Sequence, residues 1–154
     1  MRADLTKALA AAQAYRSAAQ AALTERLAAR PIDSEQRAAH GFAWVATTVA
    51  ALEATLDWLD AGKGANPLDA KIATLAFAES IGQLTGGLPM SQNEIFRPAD
   101  LGLGAAARVL ADACANLLDA DHAATRAEVA AALAESQWPS ETLHDADLDA
   151  IRDQ

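Results

Sequence analysis

One run of large apolar residues constrains the fold more than any other feature of this sequence. Its members recur at alternating steps of three and four: Phe42, Val45, Val49, Leu52, Leu56 and Leu59. That spacing places them on one stripe of an α-helix and is typical of the seam of a packed bundle. A second stripe lies beside it: Trp44, Thr48, Ala51, Thr55 and Trp58. A helix with two such faces is predicted to contact two neighbours, or one neighbour and another subunit.

The rest of the sequence predicts further helices joined by short turns. A first helix is expected from about Ala3 to Ala29, because Pro31 disfavours helical backbone just before it. The helix that carries the seam is expected from about Ser34 to Ala61. Asp33 is its predicted N-cap, and Gln36 is the capping-box partner.

Two later helices and a short one complete the pattern. The third is predicted from about Leu68 to Leu84, after a turn that ends in Pro67. The fourth is expected to begin with Pro98 in its first turn and to end near Leu118. A capping box that starts at Thr125 predicts a short final helix to about Ser136, before Trp138-Pro139.

Composition agrees with an all-α fold. Hydrophobic residues are 52% of the 154 residues but aromatic residues are only 5%, and alanine, the best helix former, supplies much of the apolar content. We therefore predict an up-and-down helical bundle of four main helices plus a short C-terminal helix. Residues 1–140 are expected to form a single domain, and residues 141–154 an acidic connector that starts a following helix.

The charge of the chain limits its binding partners, and its single cysteine limits its thiol chemistry. The net charge of −9 opposes binding to nucleic acid and to anionic membrane surfaces. No stretch has the length of apolar residues that a membrane span needs, and the start of the chain does not resemble a secretory signal, so we expect a cytoplasmic protein. Cys114 is the single cysteine and is predicted to be a buried thiol.

The segment from Glu79 to Gly102 interrupts the helical pattern. Gly86-Gly87 is predicted to end the third helix, and Pro89 prevents its continuation. Ser91-Gln-Asn-Glu94 fits a capping box and predicts one short helical turn. Loops of defined shape often carry function, which makes this segment the first place to look for a site.

Glu79 is the most unusual side chain of the third helix. It lies among apolar residues, where a carboxylate is costly unless paired, and we expect a buried or half-buried ion pair with Arg97 or His40, with exposure on the solvent face as the alternative. His40, His122 and His144 are scattered, so no metal site is predicted, and no catalytic residue is assigned. Alternatively, Glu79 and Arg97 line a ligand pocket together with Ser91 and Asn93.

Two segments, Ala39 to Glu53 and Gln83 to Gly102, carry a resemblance to a known family. They resemble the extra N-terminal helical domain of the acyl-CoA dehydrogenases that oxidise (2S)-methylsuccinyl-CoA. The ending, Leu148-Asp-Ala-Ile-Arg-Asp-Gln154, is similar to the entry into the dehydrogenase's own first helix. The resemblance implies a non-catalytic helical domain of an FAD-dependent enzyme that serves assembly or shapes access to the active site. Its partners would be the dehydrogenase core or identical subunits in a homo-oligomer.

A second likeness concerns the flavin. Gln83-Leu-Thr-Gly86-Gly87 is similar to the Gln-x-x-Gly-Gly element of the dehydrogenases' C-terminal bundle, where the glycines let the backbone approach the flavin nucleotide. This implies Gln83, Gly86 and Gly87 as candidate contacts, although Leu88-Pro89 departs from the family's further glycine. FAD is expected in the parent enzyme and not in this chain. A stand-alone bundle that dimerises or binds an acyl-CoA-like ligand is the alternative.

Overall fold

The structure, a computed structural model, describes residues 1–61, 66–135 and 137–139. The helices are α1 (Arg2–Ala29), α2 (Gln36–Ala61), α3 (Pro67–Gly86), α4 (Gly104–Ala113), α5 (Ala115–Leu118) and α6 (Ala123–Ala134). Two short strands, β1 (Leu88–Pro89) and β2 (Ile95–Phe96), form an antiparallel hairpin between α3 and α4. The predicted all-α bundle is confirmed.

Helices α1 and α2 pack side by side in opposite directions. At one end, Nε of Arg2 donates to Oδ1 of Asp60 at 2.8 Å. At the other end, Nη1 of Arg30 donates to Oε1 of Glu35 at 2.9 Å. The first residue of α1 therefore lies beside the last turn of α2, as a short connection requires.

The core lies between α1, α2, α3 and α4. The predicted seam of α2 faces it: Val45, Val49, Leu52, Leu56 and Leu59 are buried, and Phe42 is partly buried. On α1, the core positions include alanines, which let the helices approach closely because they carry only a methyl group. Ala12 and Ala19 are both 0% exposed.

The sequence placed most helix bodies correctly and several helix starts wrongly. Asp33 lies inside a 3₁₀ turn, Ile32–Ser34, and is not the N-cap of α2. Helix α6 begins at Ala123 and not at a Thr125 capping box, since Oδ1 of Asp121 accepts a hydrogen bond from the Ala123 amide at 2.9 Å. By contrast, the start of α3 fits the prediction: Pro67 is its first residue, and Asn66 caps it through a 3.0 Å bond from the Leu68 amide.

The fourth helix is divided. Pro98 starts a separate 3₁₀ turn, Pro98–Leu101, which ends at Gly102 in left-handed backbone with φ of 73°. Helix α4 then begins at Gly104, and a break at Cys114 separates it from α5. Glycine adopts left-handed backbone without the strain that a side chain would cause. Because the chain takes this conformation at Gly102, the continuous helix expected from Pro98 does not form.

Among the described residues, no helix is long and apolar enough to cross a membrane. The predicted connector at residues 141–154 and its proposed helix start lie outside the described residues, as do positions 62–65 of the predicted turn before α3. The domain boundary near residue 140 therefore stays a prediction.

Candidate functional site

The hairpin after α3 is the part of the fold with the most specific shape. Leu88 pairs with Phe96 and Pro89 with Ile95, and the amide of Met90 donates to the carbonyl of Glu94 at 2.8 Å. The helical turn predicted at Ser91–Glu94 is wrong, because this stretch is the loop of the hairpin. Pro89 suits a strand on the hairpin's open edge, where no amide donor is needed.

The hairpin is seated on α2 through one aromatic side chain. Phe96 is 1% exposed and packs against Gly41. A Cβ at position 41 would lie 2.1 Å from Cδ2 of Phe96, far inside van der Waals contact. Glycine at this position therefore makes the close approach possible, and the two segments that carried the family resemblance meet at this contact.

Arg37 adds a polar connection between α2 and the hairpin. Its guanidinium donates to the Ile95 carbonyl at 2.8 Å and lies 3.3 Å from the carboxylates of both Glu94 and Asp100. Asp100 also accepts from the Arg97 amide at 2.9 Å. That backbone hydrogen bond and the Arg37 guanidinium lower the pKa of Asp100. One arginine thus connects α2, the hairpin and the 3₁₀ turn that follows it.

Glu79 does not have the partner that the sequence suggested. Its side chain is 56% exposed and forms an ion pair with Arg126 of α6, so the assignment to Arg97 or His40 is wrong, as is the expected burial. The reason is the position of α6, which packs on α3 and presents Arg126 to this face. The pair lines a groove with His122, between α3 and α6.

The other predicted site residues are separate from Glu79. His40 accepts a hydrogen bond at Nε2 from Nε1 of Trp44, at 3.0 Å, on the exposed face of α2. Ser91 and Asn93 are exposed in the hairpin loop. Arg97 lines a different groove, next to Gly86. The structure therefore does not bring Glu79, Arg97, Ser91 and Asn93 into one pocket.

The candidate flavin contacts lie at the end of α3. Gln83 is exposed and its carbonyl accepts from the Gly87 amide at 2.8 Å, which closes the last turn of the helix. A Cβ at Gly87 would lie 2.8 Å from Cγ2 of Ile95, so this glycine is needed for the hairpin to fold back. At Gly86, by contrast, such a Cβ would meet no atom within 4 Å other than those of its chain neighbours and of its own helix backbone. Gly87 thus has a structural role, and Gly86 is open to solvent.

A groove of about 360 Å³ adjoins Gly86. We call it the Arg97–Arg108 groove, because these two guanidiniums border a floor of small residues that includes Gly86, Ala99, Gly104 and Ala107. Arg108 is a residue that the sequence reasoning missed. The available signal was its position one turn into a helix that begins with Gly104.

Two other buried ionisable groups, Glu35 and Cys114, have structural explanations. Glu35, with only 6% of its side chain exposed, is held by Arg30 at 2.9 Å and Arg26 at 3.4 Å. The hydrogen bond from Arg30 is the main cause of its lowered pKa. Burial raises the pKa of the Cys114 thiol, as expected for a small hydrophobe and not for a reactive thiolate. Within residues 1–61, 66–135 and 137–139, no three His, Cys, Asp or Glu side chains are grouped so as to hold a metal ion.

Comparison with known proteins gives one informative match. The chain is similar to (2S)-methylsuccinyl-CoA dehydrogenase from Cereibacter sphaeroides, with 34% identity over 105 residues that cover 62% of this chain. The chain is related to an acyl-CoA dehydrogenase over part of its length. It spans only 19% of that enzyme's length. No protein-family model matches the chain, and no solved structure matches it.

Proposed function

We propose that this chain is a helical accessory domain of an FAD-dependent acyl-CoA dehydrogenase of the methylsuccinyl-CoA type, with a role in assembly. The observation that carries the proposal is the part-length match: 34% identity confined to 19% of a dehydrogenase is the pattern of a shared domain. FAD and the acyl-CoA substrate would belong to the parent enzyme. The chain itself would supply a contact surface and no catalytic group.

The exposed face of α2 is the proposed assembly surface. It is the outer part of the second stripe of the helix, with Trp44, which is 37% exposed, and the exposed Ala51, whereas Trp58 of that stripe packs against the core. Large aromatic side chains are enriched at protein interfaces because they bury much area and lose little conformational entropy. The partner in this proposal is the dehydrogenase core or an identical subunit.

Sedimentation velocity tests the assembly role. The chain would be run alone and together with the methylsuccinyl-CoA dehydrogenase from which the matching segment has been removed. We expect the mixture to contain a species that includes both proteins and sediments faster than either one alone. A chain that stays monomeric in both samples would contradict the proposal.

A second candidate is a stand-alone bundle that dimerises through the same face of α2. The exposure of Trp44 supports this second candidate as well as the first. The match to a dehydrogenase supports only the first. The two are distinguished by the mixed sample: a homodimer that ignores the dehydrogenase core supports the stand-alone bundle.

A further inference from the structure

The cations of the Arg97–Arg108 groove differ from most others in the described chain. Seven lysines and arginines form ion pairs with carboxylates: Arg2, Arg16, Arg26, Arg30, Arg37, Lys71 and Arg126. Among residues 1–61, 66–135 and 137–139, Lys7, Arg97 and Arg108 form none. Two of these three therefore border the same groove, in a chain whose net charge is −9.

The position of Arg108 increases the local positive charge. Its Nη1 lies 3.9 Å from where a Cβ on Gly104 would stand, so the guanidinium folds back over the start of α4 and toward the groove. The carboxylate of Asp100, three residues after Arg97, already accepts from the Arg97 amide and contacts Arg37. No acidic residue is among the described residues that line the groove.

The geometry points to a binding site for the phosphate or diphosphate group of a small organic molecule. Guanidiniums bind phosphate oxygens with paired, charge-assisted hydrogen bonds. The Gly and Ala floor lets a ligand approach the backbone and offers apolar surface to the part of the molecule that carries the phosphate. This site is independent of the assembly surface on α2, and the inference does not rest on the proposed function.

A small phosphate ligand fits better than an acidic protein segment. The groove holds about 360 Å³, which is within the usual size of small-molecule sites. An acidic segment of a protein would match a longer row of cations, whereas this groove has two. An acidic peptide is therefore the competing occupant that the experiment must separate.

Isothermal titration calorimetry of the full chain tests the site, with inorganic pyrophosphate, ADP and a polyglutamate peptide as probes. We expect saturable binding of both phosphates, and tighter binding of ADP because its nucleoside covers the apolar floor. Arg97→Gln and Arg108→Gln are each expected to weaken ADP binding about tenfold, as the loss of a charge-assisted contact implies. Lys7→Gln is the matched control, since Lys7 also forms no ion pair within the described ranges but lies on α1, and it should leave the affinity unchanged.

Four results would overturn the inference. They are the absence of saturable binding of ADP, equal or weaker binding of ADP than of pyrophosphate, tighter binding of polyglutamate than of ADP, and an ADP affinity that survives both arginine substitutions. Arg97 and Arg108 are exposed, so the variants are expected to fold, and circular dichroism with thermal melting checks this directly.

Discussion

Gly41 is the residue on which the seating of the hairpin depends. Replacing it by alanine would place a methyl group 2.1 Å from the ring of Phe96, so either the ring or α2 must move. We expect Gly41→Ala to lower the free energy of unfolding by about 1–3 kcal/mol, the usual cost of overpacking a core. Urea denaturation followed by circular dichroism measures the change.

Gly82→Ala is the matched control for that substitution. Gly82 also lies inside a helix, but a Cβ added there would have its nearest neighbour 3.9 Å away, in the Leu118 side chain. Alanine is the better helix former, so this variant is expected to be more stable by about 0.5–1 kcal/mol. The same loss of stability in both variants would contradict the role given to Phe96.

Glu35 makes the stability of the fold depend on pH. Because Arg30 and Arg26 hold its folded-state pKa below the ordinary value of 4.5, its contribution is present above that value and is lost as the pH falls through the folded-state pKa. We expect the melting temperature of the native chain to fall more steeply with acid than that of Glu35→Gln. Melting curves recorded at intervals between about pH 6 and about pH 3 check this.

The control for the acid experiment is Glu25→Gln. Glu25 is exposed on α1 next to Arg26, one of the two partners of Glu35, and it forms no ion pair within the described parts of the chain. Its variant should follow the native curve. If the melting temperatures of the native chain and of Glu35→Gln fall equally with decreasing pH, Glu35 is not a source of the acid sensitivity.

At the scale of elements, the hairpin is the unit most exposed to local opening. Its two strands have two residues each, and Arg37 is its polar connection to α2. We expect Arg37→Gln to raise hydrogen exchange at the Met90 amide about fivefold, which corresponds to the loss of about 1 kcal/mol from an exposed charge cluster. NMR or mass spectrometry would measure the exchange.

Arg16→Gln provides the comparison for Arg37. Arg16 pairs with Glu53 at 3.4 Å, between α1 and α2 and away from the hairpin. Its loss should leave exchange at Met90 unchanged. If both variants accelerate exchange equally, Arg37 stabilises the whole bundle and not the hairpin in particular.

The sequence predicted the bodies of the helices correctly but did not predict the hairpin. The seam from Val45 to Leu59 repeats over several turns, so the pattern is redundant and one side chain does not decide it. The capping box at Ser91–Glu94 is a single local signal. The hairpin forms in place of the predicted helical turn because Phe96 packs against Gly41. No local sequence pattern contains this tertiary contact.

The ion-pair partners of charged residues could not be predicted from the sequence either. The sequence suggested Arg97 or His40 as the partner of Glu79, whereas the structure pairs it with Arg126, which comes from a helix that packs on α3. Ion-pair partners across a bundle depend on how helices are rotated, and a one-residue change in that rotation selects a different side chain. The end of α3 at Gly86-Gly87 was the part of this segment that the sequence did predict.

At the scale of the whole molecule, the exposed part of the second stripe of α2, at Trp44 and Ala51, carries the proposed association. We expect Trp44→Ser to weaken the complex with the dehydrogenase core or with identical subunits, because Trp44 is the largest exposed side chain of that face. Sedimentation velocity at several concentrations measures this. Trp138→Ser is the control, since Trp138 is 68% exposed but lies after α6, and it should leave association intact.

The hydrogen bond from Nδ2 of Asn66 to the Trp138 carbonyl, at 2.7 Å, connects the segment after α6 to the beginning of α3. Asn66 stands at the beginning of α3, whereas Gly86 and the Arg97–Arg108 groove lie at its other end. Twenty helical residues separate these ends by about 30 Å. Trp138 is therefore held at the pole opposite the groove, and a ligand bound in the groove would leave the surroundings of its indole unchanged.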